Sequence, residues 1–336
     1  MSFKLSKHPK WLNFAVIVAL FHLIGTTLLL INARQYPQMI GFGFLAYTLG
    51  LRHAFDADHI AAIDNTVRKL IQQKEDPAGV GFFFSLGHSS VVFIMAVLTA
   101  FSMNWAEAHI PHIKDIGSII GTAVSGGFLI LIGMLNLYLW FDIYRVFINS
   151  RREEFDDQHL EELLLNRGFF SRLCGSLYSF INKSWHVYPL GFLFGLGFDT
   201  ASEVALLAIS ANVIAQSIPI TLVICLPILF AAGMSLLDTA DGIFMSTAYN
   251  WASITPLRKT YYNLSVTGIS VVAALGIGFI ELTQVFAPKF GLNSGIWGWM
   301  QNIDIGSIGY LMVTLFILLW GLSFIIWKFL RLENGK

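Results

Sequence analysis

One apolar stretch of the chain carries the run Arg52-His53-Ala54-Phe55-Asp56-Ala57-Asp58-His59. Two imidazoles and two carboxylates so close together are metal-ligand chemistry. A third imidazole, His88, follows in Gly87-His88-Ser89-Ser90. Asp199 and Glu203 stand four apart in a later apolar stretch, and Asp238 and Asp241 three apart in the next, so each pair shares one helical face. Thr200 and Thr239 each follow the first acid directly. His22 lies in the first apolar stretch and Glu281 near the end of the seventh, where a structural role is expected. On an unbroken helix, Asp56 falls about 60° and His59 about 120° behind His53, with Arg52 at about 100°. His53, Asp56 and His59 thus share one arc, and Asp58 falls off it. Asp58 then either orients a ligating histidine or joins the set where the helix unwinds. Gly50 is the nearby residue that favours such a break.

A charge in hydrocarbon costs several kcal/mol unless it is paired or faces water. Arg52 is expected to pair with one of the acids. It cannot neutralise Asp56, Asp58, Asp199, Glu203, Asp238 and Asp241 together, so protonation or a bound cation must compensate the rest. Imidazoles with carboxylates form a borderline-soft set, which suits Ni²⁺, Co²⁺, Zn²⁺ or Cu²⁺ better than Mg²⁺ or Ca²⁺. The cluster has no thiolate. Cys174 and Cys225 are far apart and form no CxxC, which argues against Cu⁺ and against a disulfide framework. Affinity order alone favours Cu²⁺ and Zn²⁺, so selectivity must come from geometry.

The elements that must position these groups are membrane spans. Of 336 residues, 55% are hydrophobic and only 12% charged, against about 25% charged in a soluble domain. Mean hydropathy is +0.66. Formal net charge is zero, with no basic excess for nucleic acid. The expected fold is all-α and polytopic, one transporter domain over residues 1–336. About eight spans are expected, over Trp11–Ala33, Gln38–Ile63, Gly79–Met103, Ile116–Phe141, Tyr188–Ala211, Ile218–Phe244, Leu264–Ala287 and Ile305–Leu330. Seventeen of the 21 Lys and Arg residues fall on the side of the N-terminus, and only Arg34, Lys114 and Lys289 on the other. The positive-inside rule then puts both termini in the cytoplasm, in a multi-pass cytoplasmic (inner) membrane protein. Arg68, Lys69 and Lys74 count as loop residues after the second span. A cytoplasmic loop is expected over 143–187. Its acidic stretch with His159 reads as a solvated helical face, and His109 and His112 around Pro111 as outer loop residues.

The chain contains no GxxxxGK[ST] and no HExxH, so neither a P-loop ATPase nor a zincin-type protease is encoded in it. A transporter or exporter of Zn²⁺ or Mn²⁺, an intramembrane metalloenzyme and a metal sensor are the competing classes.

At these residues the sequence resembles the NiCoT family of nickel/cobalt transporters. RHAFDADHI (Arg52–Ile60) is similar to that family's second-span signature. LGHSSVV (Leu86–Val92), LGFDTASE (Leu196–Glu203) and GMSLLDTADG (Gly233–Gly242) resemble its other blocks, with Ser202 where Thr is common. The resemblance spans nearly the whole chain. It implies high-affinity uptake of Ni²⁺, Co²⁺ or both as substrate. It assigns metal recognition to His53, Asp56, Asp58 and His59, and His88 joins them as the third imidazole. His22, Arg52, Phe55, Asp199, Thr200, Glu203, Asp238 and Asp241 are then pathway or supporting residues. The pairing of His22 with Phe55 resembles members that accept cobalt as well as nickel. No resident cofactor and no ATPase subunit are expected. The partners are the metal ion and the lipid bilayer.

A repeat is also expected. Gly-Leu followed by Phe-Asp recurs in spans 2 and 5, and Gly87-His88-Ser89 in span 3 corresponds to Gly233-Met234-Ser235 in span 6. An offset of three spans makes the related segments antiparallel, the arrangement of an inverted repeat with a midplane site and alternating access.

Overall fold

The computed structural model describes residues 10–101, 103–150, 180–197, 201–215, 218–252 and 256–329. Every regular element among them is helical. Six helices are long and apolar enough to cross a membrane: Trp11–Ile31, Val80–Thr99, Ile116–Tyr138, Cys225–Asn250, Leu264–Phe286 and Ile305–Leu322. The chain is an all-α polytopic membrane protein. The second and fifth expected spans are present as interrupted helices, a correction to the continuous spans read from hydropathy.

In chain order the helices are α1 (Trp11–Ala33), α2 (Met39–His53), α3 (Ala57–Gln72), α4 (Val80–Phe101), α5 (Met103–Ser150), α6 (Val187–Gly195), α7 (Ala201–Ala215), α8 (Ile220–Val223), α9 (Cys225–Ala252), α10 (Pro256–Phe286), α11 (Gly295–Gln301) and α12 (Ile305–Phe329). The α5 backbone is helical through 109–112 and on to 150, where loops were expected. The acidic stretch with His159 and Cys174 lie outside the described residues.

The first break is closed by local hydrogen bonds. Phe55 N donates to Arg52 O at 3.0 Å and Asp56 N to His53 O at 2.9 Å, so the last turn of α2 tightens. Asp56 is then extended, and its carbonyl accepts from Ile60 N at 3.2 Å to start α3. The same tightening ends α6, where Leu196 N donates to Leu193 O at 3.3 Å and Gly197 N to Phe194 O at 2.9 Å. Irregular backbone in a membrane protein is tolerated where protein surrounds it or it lines a cavity. Both breaks meet that condition. Gly309 of α12 lies against the Phe55 carbonyl, and Gly117 and Gly121 of α5 lie against Leu196 and Gly197.

Glycines set the helix spacing reciprocally. Gly50 of α2 faces the Phe230 carbonyl of α9, while Gly233 of α9 faces the Tyr47 carbonyl of α2. Gly191 of α6 faces the Phe84 carbonyl of α4, while Gly87 of α4 faces the Tyr188 carbonyl of α6. Tyr-x-x-Gly on α2 and α6 thus packs against Phe-x-x-Gly on α9 and α4. A third pair joins α5 to α10, where Gly126 and Gly278 each face the other's carbonyl. Contacts in which i meets j and j′ meets i′ are the signature of a two-fold relation. The relation pairs α2, α4 and α5 with α6, α9 and α10, one helix more than the sequence repeat showed.

α3 is buried on all sides and carries polar side chains into the interior. Arg68 and Lys69 are each only 3% exposed, so they are helix residues inside the bundle and not part of the loop. Arg68 lies 3.4 Å from Asp64 and donates to Ser270 Oγ at 2.6 Å, to the Val266 carbonyl at 3.5 Å and to the Tyr249 hydroxyl. Tyr249 in turn donates to Asp64 at 2.7 Å. The network ties α3 to α9 and α10. Removing one partner of a buried ion pair costs about 3–5 kcal/mol because the other charge is stranded. Arg68→Ala is therefore expected to unfold at markedly lower temperature in detergent. A thermal melt within a degree or two of the parent would show that the network carries no stability.

Candidate metal centre

His53 is the last residue of α2, and His59 is the third residue of α3. The intervening break folds the chain back so that their rings meet. Ring centroids are 4.7 Å apart for His53 and His59, 4.6 Å for His53 and His88, and 4.7 Å for His59 and His88. One ligand atom from each histidine lies within 4.8 Å of the others. All three side chains are buried. Phe84 stands edge-on to His59 at 4.8 Å, and Phe230 packs beside His53 at 5.7 Å.

Carboxylates arrive from two further helices. Glu203, in the first turn of α7 and buried, places Oε1 2.9 Å from His88 Nε2 and 3.9 Å from His53 Nε2. His53 Nε2 and His88 Nε2 are 2.8 Å apart. Ligands at about 2.0–2.1 Å from one metal, at right angles, are about 3 Å apart. The spacings of 2.8 and 2.9 Å are therefore close to those of neighbouring ligands around an ion. On its other ring nitrogen, His53 Nδ1 meets Asp56 Oδ2 at 2.8 Å, and His59 Nδ1 lies 3.5 Å from Asp238 Oδ2. A carboxylate behind His53 fixes its tautomer and raises its donor strength, and a second stands beside His59.

The other expected residues are distributed as follows. Asp58, half-buried, and Arg52, exposed, line a cavity beside Asp56. Phe55 stacks on Tyr310 of α12 with centroids 4.9 Å apart. His22 is separate from the cluster: its Nδ1 contacts the Val18 carbonyl at 2.8 Å and its Nε2 the Tyr47 hydroxyl at 3.2 Å. Asp241, partly buried, follows Asp238 on α9, as does Thr239. Asp199 and Thr200 lie outside the described residues. Glu281 is buried and accepts a hydrogen bond from Ser125 at 2.7 Å. The Asp64–Arg68 pair was not singled out from the sequence. Its signal was an acid and a base four apart just beyond the hydrophobic run, but hydropathy ended the span at Ile63.

The repeat explains why the centre is lopsided. His88 and Met234 are equivalent, one imidazole and one thioether, and Ser89 donates to Met234 Sδ at 3.4 Å. The first half supplies three imidazoles. The second half supplies Glu203 and Asp238.

The four sequence blocks converge on this one buried cluster, and a family model described as high-affinity nickel-transport protein matches residues 39–326. The chain belongs to this NicO family. Among relatives of NicO chains like this one, the nickel transporter NixA of Staphylococcus aureus is 54% identical over 324 residues, covering 96% of both chains. The high-affinity nickel-transport protein NixA of Helicobacter pylori is 47% identical over 334 residues, covering 96% of this chain and 99% of its own. The cobalt transport protein NhlF of Rhodococcus rhodochrous is 38% identical over 311 residues, covering 90% and 88%. No solved structure matches. This NicO chain is thus a member of a transporter family, not an enzyme family.

Proposed function

We propose that the protein takes up Ni²⁺, and Co²⁺ with it, by alternating access through the centre formed by His53, His59, His88 and Glu203. The observation that carries this reading is the convergence of three buried imidazoles within ligand spacing, with the Glu203 carboxylate 2.9 Å from one of them. The ion sheds its water onto these four groups, while Asp56 and Asp238 hold the imidazoles in place. This differs from the sequence reading, in which Asp56 and Asp58 were ligands and Glu203 a pathway residue. Ligand groups must be deprotonated to bind, so capture displaces protons. The two interrupted helices supply the elements that can rearrange around the centre.

Sidedness rests on charge. Lys10 pairs with Asp76 at 2.8 Å, and Ser184 donates to the Asp76 carbonyl, so three segments expected in the cytoplasm meet at one end of the bundle. No ATP is needed. One charge moved through 100 mV is worth about 2.3 kcal/mol, so a divalent ion entering a negative cell gains about 4–5 kcal/mol, or about three decades of accumulation. Purified protein in liposomes with an inside-negative potassium diffusion potential is expected to accumulate Ni²⁺, with Co²⁺ competing and Mn²⁺ competing weakly. Liposomes that fail to take up Ni²⁺, or that prefer Zn²⁺ or Mn²⁺, would overturn the reading.

A further inference from the structure

A cavity of about 300 Å³ opens beside the first helix break. Its walls include Arg52, Asp56 and Asp58 from the break, Glu281 from the end of α10, and Asp304 and Gly306 from the start of α12. Four carboxylates face one guanidinium. Such a wall concentrates cations in a low-dielectric cleft. At one edge Asp56 lies on His53 at 2.8 Å, so the cavity ends at the histidine centre. Ser202 of α7 also lines it, and the remaining residues come from the end of α10 and the segment that leads from α10 to α12. That segment falls on the side that carries only Arg34, Lys114 and Lys289.

The two spaces differ in what they can hold. Liquid water takes about 30 Å³ per molecule, so an ion with six waters needs about 200 Å³. The cavity accommodates that. The histidine centre, with ring centroids 4.6–4.7 Å apart, accommodates only a stripped ion. Gly306 stands where the two meet. A Cβ at this position would lie 3.1 Å from Asp56 Oδ1 and 3.4 Å from Asp304 Oδ1, between the two carboxylates. Asp304 is itself held in place: its Oδ2 accepts from Ser307 Oγ at 2.6 Å and its Oδ1 from Gly306 N at 3.2 Å.

We infer that this cavity is the entry vestibule for the hydrated divalent ion, that Asp304 and Asp56 receive it through its bound waters, and that Gly306 keeps the passage to the histidine centre open. The inference rests on the centre being the metal site. Water is shed in crossing from one space to the other, past Asp56.

Stopped-flow binding of Ni²⁺ to the purified, detergent-solubilised protein tests this without transport. In Gly306→Val, association and dissociation are expected to slow together by about tenfold or more, with Kd within about threefold of the parent, because a narrowed passage changes rates and not end states. Gly306→Ala, whose methyl displaces only the two carboxylates, slows both rates less. Asp304→Asn keeps one acceptor oxygen for Gly306 N, turns the other into an NH2 facing Ser307 Oγ and removes the charge, so it slows association and flattens its dependence on ionic strength. Gly321→Val, on the same helix with nothing within 4 Å of its added carbon, leaves both rates unchanged. Parent-like rates in both Gly306 variants, or a loss of affinity without loss of rate, overturn the vestibule alone. Parent-like Ni²⁺ affinity in His88→Ala overturns the histidine centre, and the vestibule with it.

Discussion

Replacing His88 by alanine is expected to abolish nickel uptake, with initial rates falling by more than about a hundredfold. Altering only the groups that orient a metal-binding histidine already costs about 10–100-fold, and His88 lies nearer the proposed ion than those groups do. Its Nε2 is within 3 Å of both His53 Nε2 and Glu203 Oε1, at 2.8 and 2.9 Å. The repeat offers no second imidazole, because the equivalent position carries Met234. His53→Ala and His59→Ala are expected to behave alike. Asp56→Asn is expected to fall by the smaller factor, since it removes a charge behind His53 and at the cavity but none of the four groups of the centre. The measurement is initial uptake of radioactive nickel, normalised to the amount of protein in the membrane. A His88→Ala variant that reaches the membrane and transports at the parent rate would remove the centre from the transport path.

Gly87→Ala is expected to lower uptake almost as far, although it deletes no ligand. The added methyl would overlap the Tyr188 carbonyl of α6, and backbone cannot step aside as a flexible side chain does. α4 and α6 must separate, and His88 is the next residue. A displacement of about 1 Å at a reacting group is enough for a hundredfold effect. Overpacking of this kind also costs about 1–3 kcal/mol of stability. Gly50→Ala, against the Phe230 carbonyl of α9, is expected to move His53 in the same way at the equivalent contact of the repeat. Gly41→Ala and Gly127→Ala are the controls, because nothing lies within 4 Å of either added carbon. Uptake rates and melting temperatures of the four variants decide the matter. If all four transport alike, close helix approach does not set the geometry of the centre.

That His53, His59 and His88 lie at membrane depth was legible in the sequence because hydrocarbon makes ionisable residues costly. His53, His59 and His88 stand out for that reason alone, and so do the acids of α7 and α9. The all-helical fold was legible for a related reason: only helices and closed barrels satisfy every backbone group in lipid. The repeat could be glimpsed from glycines, since close approach of two backbones admits no side chain.

What the sequence could not decide was which of these groups touch one another. A helical wheel assumes a continuous helix, and it spread His53, Asp56 and His59 over an arc of about 120°. The chain instead breaks at Ala54–Asp56, so that His59 turns back onto His53. Gly50, where a break was expected, is held in the helix because its bare α-carbon is needed against Phe230. Glu203 and His88 are 115 residues apart, and nothing local to either shows that they meet at 2.9 Å. Arg68 was read as a loop cation because hydropathy averages over a window, whereas a buried charge is made tolerable by particular partners on α9 and α10. Local composition determines which side chains lie at membrane depth. Their distances are set by contacts between distant helices, and only the folded chain contains those.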